Sequence, residues 1–322
     1  MVMNDPIKGN WTDGNEFSLS DFRNNLLKFG NTFLDKAMRG IFPDDLILIG
    51  APTGSGKTQF CVNLALANVR QNKKVHFIAL EASKDEIQKR LAFTTFAGIF
   101  YDDKNRKKIG KPLNYQDFVL GEFNTLYNSY KDKIDLVLNK YKNLHIHYGG
   151  DDFTVDDLVR RCVGVSHETD LIIVDHVHYF DFDEKENENS ALKKIAKTAR
   201  KLTQELQKPI ILVAHLRKRD KFNQELCPGI DEFHGSSDLT KIATKVITLA
   251  RLNAKTSTRT ESIFRILKNR NDGSVCFYVA KQMFSSTRGN FDNMLSLGSL
   301  ERDGKKFNPI HIGDDTFPYW FE

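Results

Sequence analysis

The stretch Leu46-Ile47-Leu48-Ile49-Gly50-Ala51-Pro52-Thr53-Gly54-Ser55-Gly56-Lys57-Thr58 joins an unbroken apolar run to a glycine-rich turn, and a helix-like segment follows from Lys57 to about Gln71. Four apolar residues in a row, bounded by turn residues, read as a strand buried on both faces. Gly54 and Gly56 let the backbone curl so that successive N–H groups face inward, and the following helix adds its positive end to the same pocket. Lys57 can then reach terminal phosphates as a point charge, while the Thr58 hydroxyl is a hard oxygen ligand for Mg²⁺. The pattern is that of a P-loop, with Ala51 where its first glycine would stand and Gly50 just before it. It predicts a Mg²⁺-nucleotide site over Ala51, Pro52, Thr53, Gly54, Ser55, Gly56, Lys57, Thr58 and Gln59.

Outward from this turn, strand-like runs recur at Val75–Leu80, Leu144–His147, Asp170–Val174, Pro209–Ala214, Val246–Leu249, Ser262–Leu267 and Ser274–Val279. Helical patterns lie between several of them, such as Lys84–Phe96 and the Lys-rich residues 102–143. Apolar strands alternating with helices imply an α/β fold with a mostly parallel, twisted sheet and helices on both faces. The last two runs, joined by Lys268–Gly273 with its Asn-Asp-Gly turn chemistry, imply a C-terminal antiparallel hairpin. Near the N-terminus, Leu19, Phe22, Leu26 and Phe29 recur at helical spacing and predict a short amphipathic helix over Asp21–Phe29.

The composition fits one large domain with extensions: 322 residues, 40% of them hydrophobic and 28% charged. Polar residues interrupt each apolar run too early for a membrane span, so no membrane partner is expected. The N-terminus lacks the order of a secretory signal. Cys61, Cys162, Cys227 and Cys276 have no zinc-ligand spacing and read as reduced thiols of a cytoplasmic protein. A net charge of +5 permits a polyanionic partner, but only its placement can argue for one.

Two carboxylates close strands. Asp175 follows Leu171-Ile172-Ile173-Val174 and Glu81 follows Val75–Leu80. Each is thereby placed at the carboxyl edge of the sheet, where open α/β sheets bind ligands. Asp175 suits the metal side of a P-loop site, and Glu81 the orientation or deprotonation of water.

With these positions and the Pro209–His215 strand in view, about Asn31–Phe291 resembles the RecA-like ATPase domain of DnaB-type hexameric replicative helicases. At several motifs it is similar to the helicase half of bacteriophage primase-helicases. The likeness rests on the P-loop with its leading Ala51, Glu81 in Ala79-Leu80-Glu81-Ala82, and Asp175 in Ile173-Val174-Asp175-His176, where His176 replaces the usual aromatic. It also rests on His215 in Val213-Ala214-His215-Leu216, on Phe233-His234-Gly235-Ser236-Ser237, and on Arg265-Ile266-Leu267-Lys268-Asn269-Arg270.

The resemblance implies a RecA-like P-loop NTPase core. Its ligands would be ATP and Mg²⁺, with Thr58 and Asp175 on the metal, Glu81 as catalytic glutamate and His215 as γ-phosphate sensor. Lys268 and Arg270 would act on a neighbouring subunit's nucleotide. It implies a DNA helicase or translocase of 5'-3' type in replication, acting on single-stranded DNA as a homo-oligomer, a hexamer by family habit, in a bacterial, phage or plasmid setting with a helicase loader or primase as partner. Arg217, Lys218, Arg219 and Lys221, directly after His215, and Gly235 and Ser236 of the later motif, would hold the nucleic-acid backbone. The expected layout is a polar leader and linker helix over 1–40, the ATPase domain over 41–291 and an aromatic extension over 292–322, too short for the family's usual scaffold domain. Two other readings stay open: a RecA-like recombinase or regulatory ATPase, and a replication or defence accessory factor that uses ATP as an assembly switch.

Overall fold

A computed structural model describes residues 26–150, 152–182, 187–216, 225–233, 237–256 and 258–310. Its strands are β1 (Leu46–Ala51), β2 (Val75–Ala79), β3 (Leu144–Tyr148), β4 (Leu171–Asp175), β5 (Ile210–His215), β6 (Lys245–Thr256), β7 (Arg259–Asn269), β8 (Val279–Ser285), β9 (Asn290–Leu300) and β10 (Phe307–Pro309). They form one sheet in the order β10-β9-β8-β7-β6-β1-β5-β4-β2-β3. Strands β3, β2, β4, β5, β1 and β6 run parallel, whereas β6 to β10 pair antiparallel. The cradle strand β1 is central, and all six of its residues are buried.

Its burial follows from alternation along the strand. Ile47, Ile49 and Ala51 face one apolar layer, together with Phe60, Leu64 and Val69 of α2 (Lys57–Val69) and Phe33 and Leu34 of α1 (Thr32–Met38). Leu46 and Leu48 face the other, against Leu158 and Cys162 of the later helix Val155–Val165 and Leu192, Ile195 and Ala199 of Glu188–Leu206. The expected helices on both faces are present. A third apolar cluster explains the Lys-rich segment. Phe93, Phe96 and Phe100 of α3 (Lys84–Asp102) gather Leu113, Phe123 and Ile134 from α4 (Tyr115–Val119), α5 (Asn124–Ser129) and α6 (Lys131–Asn139), with the Lys side chains left outward. Only part of 102–143 is helical, since residues 103–114 carry no helix. The two helices on the second face are α7 (Val155–Val165) and α8 (Glu188–Leu206), and α9 (Ser237–Ile242) precedes β6.

Three local expectations need correction. Residues 26–30, the described part of the expected Asp21–Phe29 helix, are not helical: Leu27 forms an antiparallel bridge with Ile41. Gly30 takes φ +67, and the Asn31 side chain then caps the helix that forms, α1, by accepting from Leu34 N–H. At the other end, β7 runs to Asn269, Gly273–Phe277 is a 3₁₀ turn capped by Asp272, and the return strand is Val279–Ser285 rather than Ser274–Val279. The antiparallel part is also larger than a hairpin. Strand β9 spans residue 291, and β10 carries the sheet to Pro309.

No helix among the described residues is long and apolar enough to cross a membrane. The four cysteines are free, and all but Cys276 are buried.

Candidate nucleotide site

Four adjacent strands end at one edge of the sheet. In the register Ala51↔His215 and Ala79↔Asp175, β1, β5, β4 and β2 deliver the P-loop, His215, Asp175 and Glu81 side by side. The turn is built as its glycines require. Gly54 has φ +77 and Gly56 φ +91, and Gly56 is the N-cap of α2, so the first N–H groups of that helix open into the loop. The loop is tied by Ser55 N–H donating to Pro52 O at 3.2 Å.

Lys57 is buried at this opening. Its Nζ donates to Ala51 O at 3.2 Å and lies 2.8 Å from Nδ1 of His215. Burial lowers its pKa, while Asp175 and Glu81 pull in the other direction. Asp175 is fully buried, and neither of its oxygens makes a standard hydrogen bond with a described residue. Burial, joined by the nearby Glu81, raises its pKa to about 6 against the opposing influence of the Thr58 hydroxyl and Lys57. A desolvated carboxylate beside a threonine hydroxyl is a pair of hard oxygen donors, which is the donor set Mg²⁺ takes.

Glu81 is exposed and held from two directions. Its own N–H and that of Leu80 both donate to Asp175 O, at 3.3 and 2.7 Å. Its Oε2 lies 3.1 Å from His176 Nε2 and 3.7 Å from His215 Nε2. Ligand atoms of Glu81, His176 and His215 all fall within 4.8 Å of one another, the only such trio of potential metal ligands among the described residues. Both imidazoles are kept neutral. Burial, then His215, His178 and Lys57, lower the His176 pKa to about 2; burial, then Lys57, lower that of His215 to about 4.

The remaining candidates divide. The Gln59 side chain points away from the cradle, its amide donating to Gly289 O at 2.7 Å and to Thr94 Oγ1 at 3.2 Å, so a phosphate contact from this residue is left to its backbone N–H. Lys268 donates to Thr240 O and Lys241 O at 3.0 and 2.7 Å, capping the end of α9 in its own chain. Arg270 is exposed, and its backbone N–H donates to Thr244 O beside the start of β1. That start is the edge opposite the P-loop, five strand steps or roughly 16 Å away. Arg270 therefore does not meet the cradle of its own chain. Arg217, Lys218, Arg219, Lys221, Gly235 and Ser236 lie outside the described residues, as do residues 1–25 and the Phe317–Glu322 end. The base of the Arg217–Glu232 connection is described: Leu216 and Phe233 form an antiparallel bridge directly over Gly50. No local sequence pattern announces this bridge or the contact of His176 with Glu81, although His176 in place of an aromatic is a visible departure.

A family model described as DnaB-like helicase C terminal domain matches residues 27–293. Among curated proteins, a probable plasmid replicative DNA helicase of Chlamydia psittaci is 24% identical over 254 residues, covering 77% of this chain and 51% of that protein. Replicative DNA helicase DnaB of Geobacillus stearothermophilus is 25% identical over 231 residues, covering 69% and 46%. The chain thus spans about half the length of these curated relatives. Among solved structures, the ATPase domain of G40P superimposes with a TM-score of 0.68 at 18% identity, covering 83% of this chain and 90% of that one. A DnaB-like replicative helicase studied for its interactions with primase gives a TM-score of 0.68 at 20% identity, covering 83% and 63%. At these identities the structural likeness shows the shared fold, that of RecA-like ATPase domains.

Proposed function

The chain belongs to the family of DnaB-like helicase C-terminal domains, and from that membership we propose that it is the motor of an ATP-driven replicative DNA helicase or translocase acting on single-stranded DNA. The observation that carries this reading is the fully buried Asp175 carboxylate beside the Thr58 hydroxyl at the mouth of the P-loop, with neither oxygen in a standard hydrogen bond and Glu81 on the adjoining strand end. Burying a carboxylate away from any positive charge that pairs with it is costly, and a cation in the site offsets the cost.

In this reading, the backbone N–H groups of the Gly54–Thr58 turn and Lys57 hold the triphosphate, and Thr58 and Asp175 hold Mg²⁺. When bound, the metal neutralises charge that develops on the phosphates. Lys57 is drawn from His215 to the phosphates, which frees His215 to read the γ-phosphate. Glu81 orients or deprotonates water. Arg270, out of reach of its own cradle, serves the nucleotide of a neighbouring copy, so that the protein acts as a homo-oligomer, a ring or helix with six copies per ring. Lys268 supports that contact from the end of α9. The Arg217–Lys221 loop, based on the bridge over Gly50, grips the DNA backbone, and a bacterial, phage or plasmid replication system supplies the loader or primase.

A fork-unwinding assay run beside ATP hydrolysis with and without single-stranded DNA tests this function. Lys57→Ala is expected to abolish hydrolysis and unwinding together. Strand exchange without unwinding would favour a recombinase, and nucleotide binding with neither activity would favour an assembly switch.

A further inference from the structure

His176 is the one member of the Glu81 cluster without a task in the proposed motor. Its side chain is 1% exposed, and its ring is pinned edge-on between Tyr179 and His215, at centroid separations of 4.8 and 4.0 Å. The hydrogen bond made by one ring nitrogen fixes the state of the other. His178 N–H donates to Nδ1 of His176 at 3.3 Å, so Nδ1 is an acceptor and the proton of the neutral ring sits on Nε2. That nitrogen is the one 3.1 Å from Glu81 Oε2. The same logic holds for His215. The Lys57 ammonium occupies its Nδ1 at 2.8 Å, leaving Nε2–H toward the same carboxylate oxygen at 3.7 Å.

Both inner nitrogens thus face Oε2 of Glu81, His176 Nε2 within hydrogen-bond distance though without standard hydrogen-bond geometry and His215 Nε2 just beyond that distance. This arrangement argues against a transition-metal site. A ligating histidine donates its second ring N–H outward, whereas here His176 Nδ1 accepts from His178 N–H and His215 Nδ1 faces the Lys57 ammonium. The 3.1 Å approach does not meet standard hydrogen-bond geometry in the free protein, and catalytic hydrogen bonds commonly tighten only when substrate binds.

We infer that His176 is a positioning residue that holds Glu81 through its Nε2–H, and holds it alone once His215 turns to the phosphate. The inference rests on the proposed role of Glu81 in hydrolysis. The division of labour follows from burial. His215 is a quarter exposed and tied to Lys57, a side chain that leaves when phosphate arrives; His176 is enclosed and tied to backbone. One donor can move with the nucleotide state, and the other cannot.

Two measurements on the full chain test it. In ¹⁵N-histidine-labelled protein, long-range ¹⁵N–¹H spectra should show His176 as the Nε2–H tautomer, with its Nε2 proton shifted in Glu81→Gln. The Nδ1–H tautomer, or displacement of the Nε2 protons of both His176 and His215 by stoichiometric Zn²⁺, would overturn the inference. In DNA-stimulated hydrolysis, His176→Phe keeps the ring contacts without the donor. It should lower kcat roughly ten- to a hundredfold while leaving KM for ATP and the Mg²⁺ requirement within about twofold. His176→Gln, which restores an N–H donor at the Nε2 position, should recover kcat to within about threefold of the parent. An unimpaired Phe variant, a loss confined to KM or Mg²⁺ requirement, or a Gln variant no better than Phe would each sink it. Should the parent chain hydrolyse no ATP, the motor reading fails, while the tautomer spectra still decide how Glu81 is held.

Discussion

At Gly50, the absence of a methyl group is structural. A Cβ there would come within 2.4 Å of the Phe233 ring and 2.8 Å of Leu216 Cδ2, the two residues whose bridge closes the loop after His215. Gly50→Ala should therefore overpack a buried site and destabilise the fold by about 1–3 kcal/mol in urea unfolding. Phe233→Leu should recover part of that loss as a favourable coupling in a double-mutant cycle; additive losses would show that the Phe233 contact is not the cause. Residue-level legibility divided along the same line. Gly54, Gly56, Glu81 and Asp175 could be placed because strand ends and tight turns constrain their own backbone. The need for Gly50, the Nε2–H of His176 and the helix-capping bonds of Lys268 depend on residues distant in sequence, so no local pattern announced them.

At the scale of elements, α1 is joined to the sheet by a reciprocal pair of buried amides. Asn31 Nδ2 donates to Gln282 Oε1 at 2.7 Å, and Gln282 Nε2 donates back to Asn31 Oδ1 at 2.9 Å. Asn31 also caps α1, so Asn31→Ala loses the cap and strands the Gln282 amide. The expected cost is about 2–4 kcal/mol from both effects, measured by chemical unfolding, with Asn31→Ala/Gln282→Leu less damaged than the sum of its parts. An additive double variant would deny the pairing. Continuous apolar strands such as β1 and β4 were readable because burial on both faces writes itself as an unbroken run. The antiparallel strands were harder. Lys281, Met283 and Phe284 of β8 are half-buried, so its alternation is weak, and Asp272-Gly273 drew the return strand too early. The helix expected up to Phe29 failed because Leu27 and Phe29, two apart, are both buried in non-helical backbone.

For the whole molecule, Arg270 lies at the edge opposite the P-loop, and its proposed role on a neighbour's nucleotide would make the unit of activity larger than the chain. Arg270→Ala should still bind nucleotide but lose DNA-stimulated hydrolysis by roughly 10³-fold or more, the scale of arginine fingers. Mixing it with Lys57→Ala, each inactive alone, should restore activity. A complete site then needs an intact Lys57 from one copy and an intact Arg270 from its neighbour, so random mixing yields about one quarter of the parental rate in a head-to-tail assembly. A mixture as inactive as its components would remove the trans assignment.

Under the proposed trans role, the same opposition of edges sets a counting rule. A chain that donates at one edge and receives at the other has polarity, so copies add in one direction. An open row of n copies then holds n − 1 complete sites, with an unused arginine at one end and an unserved P-loop at the other. Closing the row completes the last site without any new residue. Turnover per copy would thus report whether the assembly is open or closed, and opening a closed ring to admit a DNA strand would silence one nucleotide site at the gap.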